Sequence, residues 1–330
     1  MRLPPDDASI ARAADALVRG DIVAFPTETV YGLGARADQS DAVRRIYAKK
    51  GRPAHNPSIV HCLTVEAAFA LAADVPARAR ALAEAWWPGP LTLILPVRPG
   101  AVAEEVTAGG PTVAVRVPAH PVARALLAAC RLPIAAPSAN RSTRISPTTA
   151  EHVEKSLGAD VLVIDGGATG FGIESTIVDV TRQPFVVLRR GSVALSELSR
   201  FADVVDKGDL VAHEGEVQRA PGTASRHYAP RVPLVLARRD AIADAAREGA
   251  ARAGASPADV GLLVLEPAPA GLDEGSRSLA LPRDPERYAS ALYASLHRLE
   301  DGGAVMIVVE EVPGDESWAA IRDRLTRAAR

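Results

Sequence analysis

The spacing of apolar residues predicts alternating helices and strands along most of the chain. Apolar side chains recur at helical intervals from Ile10 to Val18, and the run DIVAF at 21–25 predicts a strand directly afterwards. The segment SDAVRRIYAKKG at 40–51 predicts a second helix with Ser40 as its N-cap. Further strands are predicted at 58–63, 91–97, 112–117, 133–136, 160–165, 174–180 and 185–189, and further helices at 64–73, 77–87, 121–130 and 147–157. This mixture of helices and strands predicts an α/β layer fold with a largely buried sheet.

The pattern changes near residue 200. Residues 201–231 are polar, rich in Gly and in charge, and without sustained periodicity, which predicts a linker. Beyond the linker, strands are predicted at 233–237, 259–265 and 304–310, and helices at 239–252, at 285–299 and from Trp318 onward. We therefore predict a first α/β domain over 1–200, a linker over 201–231, and a smaller parallel-sheet α/β domain over 232–330.

Composition and charge narrow the class of protein. The chain has 330 residues, of which 48% are apolar and 24% charged, and a formal net charge of −2. These values are typical of a folded globular protein and give no sign of a bulk polyanion binder, so we expect no stable DNA binding. Residues 1–200 carry 22 Lys and Arg against 19 Asp and Glu, whereas residues 201–330 carry 16 against 21. The first domain is therefore the better host for anionic ligands.

Cysteine usage and the N-terminal stretch bear on the cellular compartment. Cys62 and Cys130 lack the paired spacing of a disulfide framework or a structural zinc site. The first 20 residues contain no apolar core of a signal peptide, and no apolar run reaches the length of a transmembrane helix. We therefore expect a cytoplasmic protein without a membrane partner.

Five segments place polar side chains where a predicted strand meets a loop. They are FPTETVYGLGARA at 25–37, KKGRPAHNPSIVHC at 49–62, TVAVRVP at 112–118, PIAAPSANRSTRISPT at 133–148, and DGGATGFGIESTIVDV at 165–180 with the following VLRRGS at 187–192. Each also has a structural interpretation. Gly51 predicts a helix end, Arg116 can face solvent, and Ser146 before Pro147 predicts a helix N-cap. The glycine-rich stretch at 165–180 predicts a mobile loop rather than a dinucleotide fingerprint, because a strand follows it.

Together the five segments are rich in cations and hydroxyls and poor in carboxylates. Guanidinium groups bind phosphate and carboxylate through paired hydrogen bonds, and an ammonium binds phosphate as a point charge. The combination is typical of phosphoryl or nucleotidyl transfer, in which catalysis is mostly positioning and charge neutralisation. The sequence contains no P-loop and no nucleophile elbow, and its scattered histidines do not predict a metal site. The cations that we single out are Lys50, Arg52, Arg116, Arg144, Arg189 and Arg190.

In these segments the chain resembles the Sua5/YrdC/YciO family in its two-domain Sua5 form. The K-x-R and S-x-N motifs of the family stand here as Lys50-Gly51-Arg52 and Ser138-Ala139-Asn140. The stretches FPTETVYGLG, WPGPLTLIL, TVAVRVP, APSAN and ESTIVD also match in family order. PGTASRHYAP at 221–230 resembles the Sua5 linker, and residues 232–330 resemble its C-terminal domain. His55 is a departure, because Asp is expected at that position.

The resemblance implies both a fold and a chemistry. The fold would be a YrdC-like twisted mixed sheet with flanking helices, followed by a smaller Rossmann-like parallel α/β domain. The activity would be that of an L-threonylcarbamoyladenylate synthase, a nucleotidyltransferase that joins L-threonine, bicarbonate or CO2 and ATP, with Mg²⁺ accompanying ATP, and releases pyrophosphate. Downstream proteins would transfer the threonylcarbamoyl group to an adenosine of tRNA.

The resemblance also implies two subsites. Lys50 and Arg52 would be the catalytic residues. The ATP site would consist of Lys50, Arg52, Asn56, Thr112, Ser138, Asn140, Ser146, Arg190 and Tyr228. The L-threonine site would consist of Thr29, His61, Arg116 and Thr176, with Arg116 as partner of the carboxylate. Tyr228 would close over the product as part of a lid, and no protein ligand is assigned to Mg²⁺.

Two other functions remain open. The related carbamoyl-adenylate chemistry of hydrogenase-maturation proteins uses a similar domain, but their zinc-finger-like and acylphosphatase segments are absent from this sequence. The positive balance of residues 1–200 also permits a module that binds tRNA or double-stranded RNA without turnover. Such a module would bind tRNA with an affinity that falls as salt rises, and it would not consume ATP.

Overall fold

The structure is a computed structural model that describes residues 1–206, 227–269 and 277–330. The chain divides into two compact units. The first comprises Met1–Ser142 and Ser146–Ala224, and the second comprises Thr143–Ile145 and Ser225–Arg330. Most of the predicted linker, residues 207–226, lies outside the described residues. No helix within the described ranges is long and apolar enough to cross a membrane.

The first unit is built on an 11-stranded sheet. Its strands are β1 (Arg2–Leu3), β2 (Val23–Pro26), β3 (Tyr31–Arg36), β4 (Ile59–His61), β5 (Leu91–Pro96), β6 (Thr112–Arg116), β7 (Ile134–Ala135), β8 (Leu162–Ile164), β9 (Thr176–Asp179), β10 (Phe185–Arg189) and β11 (Val204–Asp206). The strand order is β1-β8-β2-β3-β7-β4-β6-β5-β9-β10-β11. The sheet contains both parallel pairs, such as β4 with β6, and antiparallel pairs, such as β5 with β6. The predicted mixed sheet is confirmed.

Helices bury the faces of this sheet. They are α1 (Asp7–Val18), α2 (Ser40–Lys50), α3 (Val65–Phe69), α4 (Ala77–Trp86), α5 (Glu104–Thr107), α6 (Pro121–Cys130), α7 (Ala150–Leu157) and α8 (Leu195–Leu198). Leu17 of α1 and Leu126 of α6 pack with Phe25 of β2 in one apolar cluster. Leu82 of α4 packs with Leu93 and Val115 of the central strands in another. The strands are therefore apolar on the helix-covered faces, which is why their residues alternate little in polarity.

Strand β3 was not predicted, because its two glycines suggested a turn. The structure shows instead that Gly34 lies inside the strand and lets neighbouring elements approach closely. A Cβ atom at Gly34 would lie 2.7 Å from Ile134 Cγ2 and 2.7 Å from Phe25 Cε1. The glycine is required by packing across the sheet rather than by a bend in the chain.

Two predicted helix caps are wrong. Ser40 is the first helical residue of α2, and its N-cap is Gln39. Helix α7 begins at Ala150, and its N-cap is Thr149, whose hydroxyl accepts a hydrogen bond from His152 N at 3.3 Å. Ser146 therefore does not cap the helix, and its hydroxyl has another partner described below.

The second unit contains a sheet of four parallel strands. The strands are β12 (Leu234–Ala237), β13 (Val260–Leu265), β14 (Arg277–Leu281) and β15 (Met306–Glu310), in the order β12-β15-β13-β14. The longer helices are α9 (Ile242–Ala253), α10 (Pro285–Asp301) and α11 (Ala319–Ala328). The predicted small parallel α/β domain is confirmed. Strand β14 was not predicted, because it lies at the edge of the sheet and most of its residues are at least partly exposed.

Tyr228 belongs to the core of the second unit. Its ring is 1% exposed, stacks on Tyr293 at 5.9 Å between ring centroids, and lies 5.1 Å from the guanidinium carbon of Arg324. Ala229 N, the next main-chain amide, donates a hydrogen bond to Thr143 O at 2.9 Å. Tyr228 therefore anchors the start of the second unit.

Replacing Tyr228 by alanine is expected to destabilise the second unit. Removing a buried aromatic ring should lower the free energy of unfolding by about 3 kcal/mol. Tyr228→Phe keeps the ring and should cost less than about 1 kcal/mol. Thermal denaturation of the full chain, followed by circular dichroism, measures both variants. Equal stability of the alanine variant and the wild type would contradict the packing role.

Candidate active site

Lys50 joins the two segments that carry the K-x-R and S-x-N motifs. It is the last residue of α2, and Gly51 ends the helix in the left-handed conformation with φ of 61°. The buried Lys50 Nζ donates hydrogen bonds to the main-chain oxygens of Ser138, at 2.5 Å, and of Asn140. Burial, together with the positive charge of Arg52, lowers the pKa of Lys50 well below its usual value. Residues 88 positions apart in sequence thus meet at one buried amino group.

Arg52 organises the turn that contains Asn56. Its Nη2 donates to Asn56 Oδ1 at 2.6 Å and to Pro57 O at 2.6 Å, and its Nε donates to Asn56 O at 3.1 Å. Tyr47 supports the same turn, because its hydroxyl donates to Asn56 O at 2.8 Å. Arg52 is only 8% exposed. Arg52 is therefore a buried residue that holds the turn together, not a solvated one.

Thr29, His61 and Arg116 lie together on one face of the sheet. His61 of β4 is the direct cross-strand partner of Arg116 of β6, so their side chains project to the same face. Arg116 Nη1 donates to Thr29 Oγ1 at 3.0 Å, and its Nε donates to Gly89 O at 3.1 Å. Burial and then the charge of Arg116 lower the pKa of His61 to about 3, so the imidazole is neutral near pH 7. Three of the four residues predicted for the threonine site therefore form one group.

Thr176, the fourth residue, points away from that group. Leu93 pairs with Val115, the neighbour of Arg116, and Leu91 pairs with Thr176. Because side chains alternate along a strand, Thr176 lies on the face opposite to Arg116. The Thr176 hydroxyl donates to Val193 O at 2.9 Å and accepts from Val193 N at 3.1 Å. Any contact of Thr176 with a ligand beside Arg116 would therefore come from its main chain.

Glu28 is a residue of this group that sequence reasoning missed. Its Oε1 lies 2.7 Å from Arg116 Nη2, and both side chains are largely buried. Burial favours a higher pKa for Glu28, but the Arg116 guanidinium outweighs burial and holds that pKa below its usual range. Glu28 is thus a buried carboxylate that remains ionised. The only sequence signal was its position between Thr27 and Thr29 at the end of a predicted strand.

The remaining residues predicted for the ATP site lie in several parts of the first unit, except Tyr228. Ser146 Oγ donates to Glu174 Oε1 at 2.5 Å, so a second carboxylate that was not predicted lies beside this site residue. Asn140 Nδ2 donates to Arg141 O at 3.0 Å. Arg190 Nε donates to Asp206 Oδ2 of β11 at 2.5 Å. Thr112 is the first residue of β6, whereas Tyr228 belongs to the second unit.

His61→Gln is expected to reduce the loss of unfolding free energy that the protein shows when the pH is lowered. Because the folded-state pKa of His61, about 3, lies below the ordinary 6.5, the unfolded chain binds a proton there that the folded chain does not. The free energy of unfolding therefore falls as pH drops below about 6.5. Urea denaturation near neutral pH and near pH 5 should show wild type losing about 1–2 kcal/mol more than the variant. Equal losses would contradict a neutral, buried His61.

Two family models match the chain. A model named Sua5_yciO_yrdC, described as telomere recombination, matches residues 15–191. A model named Sua5_C, described as threonylcarbamoyl-AMP synthase, C-terminal domain, matches residues 193–330. The chain belongs to the Sua5/YciO/YrdC family. The predicted resemblance to its two-domain Sua5 form is confirmed.

Sua5-type proteins resemble this chain along nearly its whole length. The threonylcarbamoyl-AMP synthase of Bacillus subtilis is 39% identical over 335 residues, covering 99% of this chain and 94% of the relative. The protein of that name from Pyrococcus abyssi is 38% identical over 328 residues, covering 98% and 95%. The crystal structure of P. abyssi Sua5 complexed with L-threonine superposes with a TM-score of 0.88 at 36% identity, covering 100% of this chain and 97% of that one.

Proposed function

We propose that the chain is an L-threonylcarbamoyladenylate synthase. It condenses L-threonine, bicarbonate or CO2 and ATP into L-threonylcarbamoyl-AMP and releases pyrophosphate, which makes it a nucleotidyltransferase. The observation that carries the proposal is the pair of hydrogen bonds from Lys50 to the main chain of Ser138 and Asn140, which joins the two family motifs at one buried amino group. Sua5-type relatives that carry the name of this activity support the proposal.

The reaction requires a carbamate and an electrophilic phosphorus atom. The neutral threonine amine bonds to the carbon of CO2 and loses a proton, or bonds to the carbon of bicarbonate with loss of water, and a carbamate results. One carbamate oxygen then forms a bond to the α-phosphorus of ATP, and the bond from that phosphorus to the bridging oxygen of pyrophosphate breaks. This step needs positioning and charge neutralisation rather than a covalent enzyme intermediate. Lys50 and Arg52 supply the positive charge. A bound triphosphate would favour the charged form of Lys50, which burial disfavours.

The group of Thr29, His61 and Arg116 is proposed to bind threonine. Arg116 is oriented by its bonds to Gly89 and Thr29, so its guanidinium is fixed before a ligand arrives. A guanidinium held in this way binds a carboxylate more strongly than a mobile one, since less side-chain entropy is lost. The neutral His61 adds a polar contact without a second positive charge.

Mg²⁺ is proposed to enter as the complex with ATP. The described ranges contain no group of three or more His, Cys, Asp or Glu side chains that could hold a metal ion. Phosphate oxygens and water can complete an octahedral magnesium shell, so a protein cage is not required. In such a complex the ion would neutralise part of the phosphate charge.

The product is proposed to serve a later acyl transfer. Threonylcarbamoyl-AMP is a mixed anhydride with an activated acyl carbon, so a downstream protein can pass its threonylcarbamoyl group to the amino group of a tRNA adenosine. Tyr228 remains a predicted residue of the nucleotide site. Its predicted action as part of a lid involves residues 207–226, which lie outside the described residues.

An omission series tests the proposed function. Purified full-length protein, mixed with MgATP, threonine and bicarbonate, is expected to release pyrophosphate with a matching yield of adenylate product. Omission of any one substrate should reduce the release to background. Pyrophosphate release that is independent of threonine would contradict the proposal, and tRNA binding without turnover would favour the RNA-binding alternative.

A further inference from the structure

Three buried polar atoms face one another beside Thr29. Arg116 Nη2 and Glu28 Oε1 are 2.7 Å apart, and the two side chains are 3% and 11% exposed. Within the described part of the chain, neither this nitrogen nor either carboxylate oxygen of Glu28 has a hydrogen-bond partner of good geometry. Buried polar atoms in folded proteins are nearly always hydrogen-bonded. The close but poorly aligned ion pair therefore leaves bonding capacity for groups that a ligand brings.

The side chain of Arg116 and the main chain of Glu28 are both anchored by hydrogen bonds. Arg116 uses its Nε and Nη1 on Gly89 and Thr29, which leaves Nη2 directed toward Glu28. The main chain of Glu28 is fixed by the hydrogen bond from Phe171 N to Glu28 O at 2.8 Å. The adjacent Thr27 hydroxyl donates to Val30 O at 2.7 Å and closes the turn. The positive and the negative group are thus held at a short, defined separation.

A free α-amino acid carries the complementary pair of charges. Its ammonium and carboxylate are attached to adjacent carbon atoms, so one molecule can meet both members of the ion pair at once. The pair has no net charge, and a zwitterion has none either, so binding leaves no buried charge uncompensated. His61 does not disturb this balance, because it is neutral at physiological pH.

We propose that Glu28 binds the α-ammonium of threonine while Arg116 binds its carboxylate. This assignment rests on the proposed function and adds a residue to it. The substrate would bind beside the ion pair, with its ammonium against Glu28 and its carboxylate against Arg116, and would supply the hydrogen bonds that they lack. Amino acids whose amine or carboxylate is blocked lack one of the two contacts. The competing explanation is that Glu28 only keeps Arg116 in place.

Calorimetric titration of the full-length protein separates these explanations. The two ligands are L-threonine and its α-hydroxy acid analogue, in which a hydroxyl replaces the ammonium. Wild type should bind threonine at least about tenfold more tightly than the analogue, since one charge-assisted hydrogen bond is lost. Glu28→Gln should weaken threonine binding by about tenfold or more and leave the affinity for the analogue within about twofold. The preference for the ammonium should therefore disappear.

Two further variants complete the test. Glu105→Gln removes another carboxylate that is paired with an arginine, since Glu105 Oε1 lies 2.6 Å from Arg44 Nη2, and it should leave both affinities unchanged. Glu28→Asp keeps the charge and should retain part of the preference, which provides a readout if Glu28→Gln does not fold. Equal weakening of both ligands by Glu28→Gln, or an undiminished preference for threonine, would overturn the assignment.

The result also distinguishes this assignment from the proposed function. If wild type binds threonine and makes the adenylate while Glu28→Gln retains the preference, only the role of Glu28 fails. If wild type binds no threonine under any of these conditions, both the Glu28 assignment and the proposed function are contradicted.

Discussion

Arg116→Ala is expected to raise the threonine concentration required for half-maximal pyrophosphate release by more than about tenfold, because a charge-assisted contact to the carboxylate is lost. The requirement for ATP should change by less than about twofold, since Arg116 contacts Thr29, Gly89 and Glu28 and none of the residues proposed to bind ATP. Steady-state kinetics with each substrate varied in turn measures both quantities. An unchanged threonine requirement would remove Arg116 from the amino-acid site.

Arg116→Ala is also expected to lower the free energy of unfolding, and this effect has to be separated from the effect on threonine binding. It leaves Glu28 buried without its cation, and breaking a buried ion pair in this way costs about 3–5 kcal/mol. Arg116→Lys keeps a positive charge beside Glu28 but loses the planar fork, so it should fold and still require more threonine. Arg124→Ala is the matched control, because Arg124 Nη1 contacts only Leu63 O, at 3.3 Å, among its described hydrogen bonds. It should leave the threonine requirement unchanged.

Arg52→Ala is expected to reduce pyrophosphate release by more than about tenfold at saturating substrates. The structure gives two reasons. The variant loses a positive charge beside Lys50, and it releases the turn that Arg52 ties to Asn56 and Pro57. Single-turnover measurements with the full-length protein give the rate of the chemical step directly. A rate within about twofold of wild type would exclude Arg52 from the phosphate contacts.

Two companion variants separate charge from positioning. Arg52→Lys keeps the charge but cannot make all three hydrogen bonds to the turn, so recovery of activity would indicate that charge dominates. Asn56→Ala leaves the guanidinium in place and removes the Oδ1 contact at 2.6 Å, together with the contact to ATP predicted for Asn56. Lys49→Ala serves as control, because Lys49 Nζ pairs with Asp160 at 2.6 Å and is not among the predicted site residues. Its activity should equal that of wild type.

The local spacing of apolar residues predicted those helices and strands in which buried positions recur at a regular interval. Helix α1 and strands β13 and β15 were found because their apolar residues repeat at helical spacing or form continuous runs. Strand β3 was missed because the need for Gly34 arises from Ile134 and Phe25, which are distant or on another strand. Strand β14 was missed because an edge strand with exposed residues has little apolar pattern to detect.

Many residues of the candidate site could be predicted from the sequence, but the contacts between them could not. The motifs located Lys50, Ser138 and Asn140, which the structure brings together. Glu28 was missed because its cation, Arg116, comes from a distant strand, and only the folded sheet places them 2.7 Å apart. The direction of the Thr176 side chain likewise depends on the register of β9 against β5, which is a tertiary property. Contacts that depend on how distant strands pair therefore cannot be assigned from local sequence.

The most direct test of the proposed activity follows the carbon of bicarbonate. Full-length protein is incubated with MgATP, threonine and radiolabelled bicarbonate, and the nucleotides are separated and identified by mass spectrometry. We predict that label appears in an AMP adduct that also contains threonine, in an amount equal to the pyrophosphate released. Pyrophosphate release without label in a threonine-containing nucleotide would contradict threonylcarbamoyl-AMP synthesis by this chain.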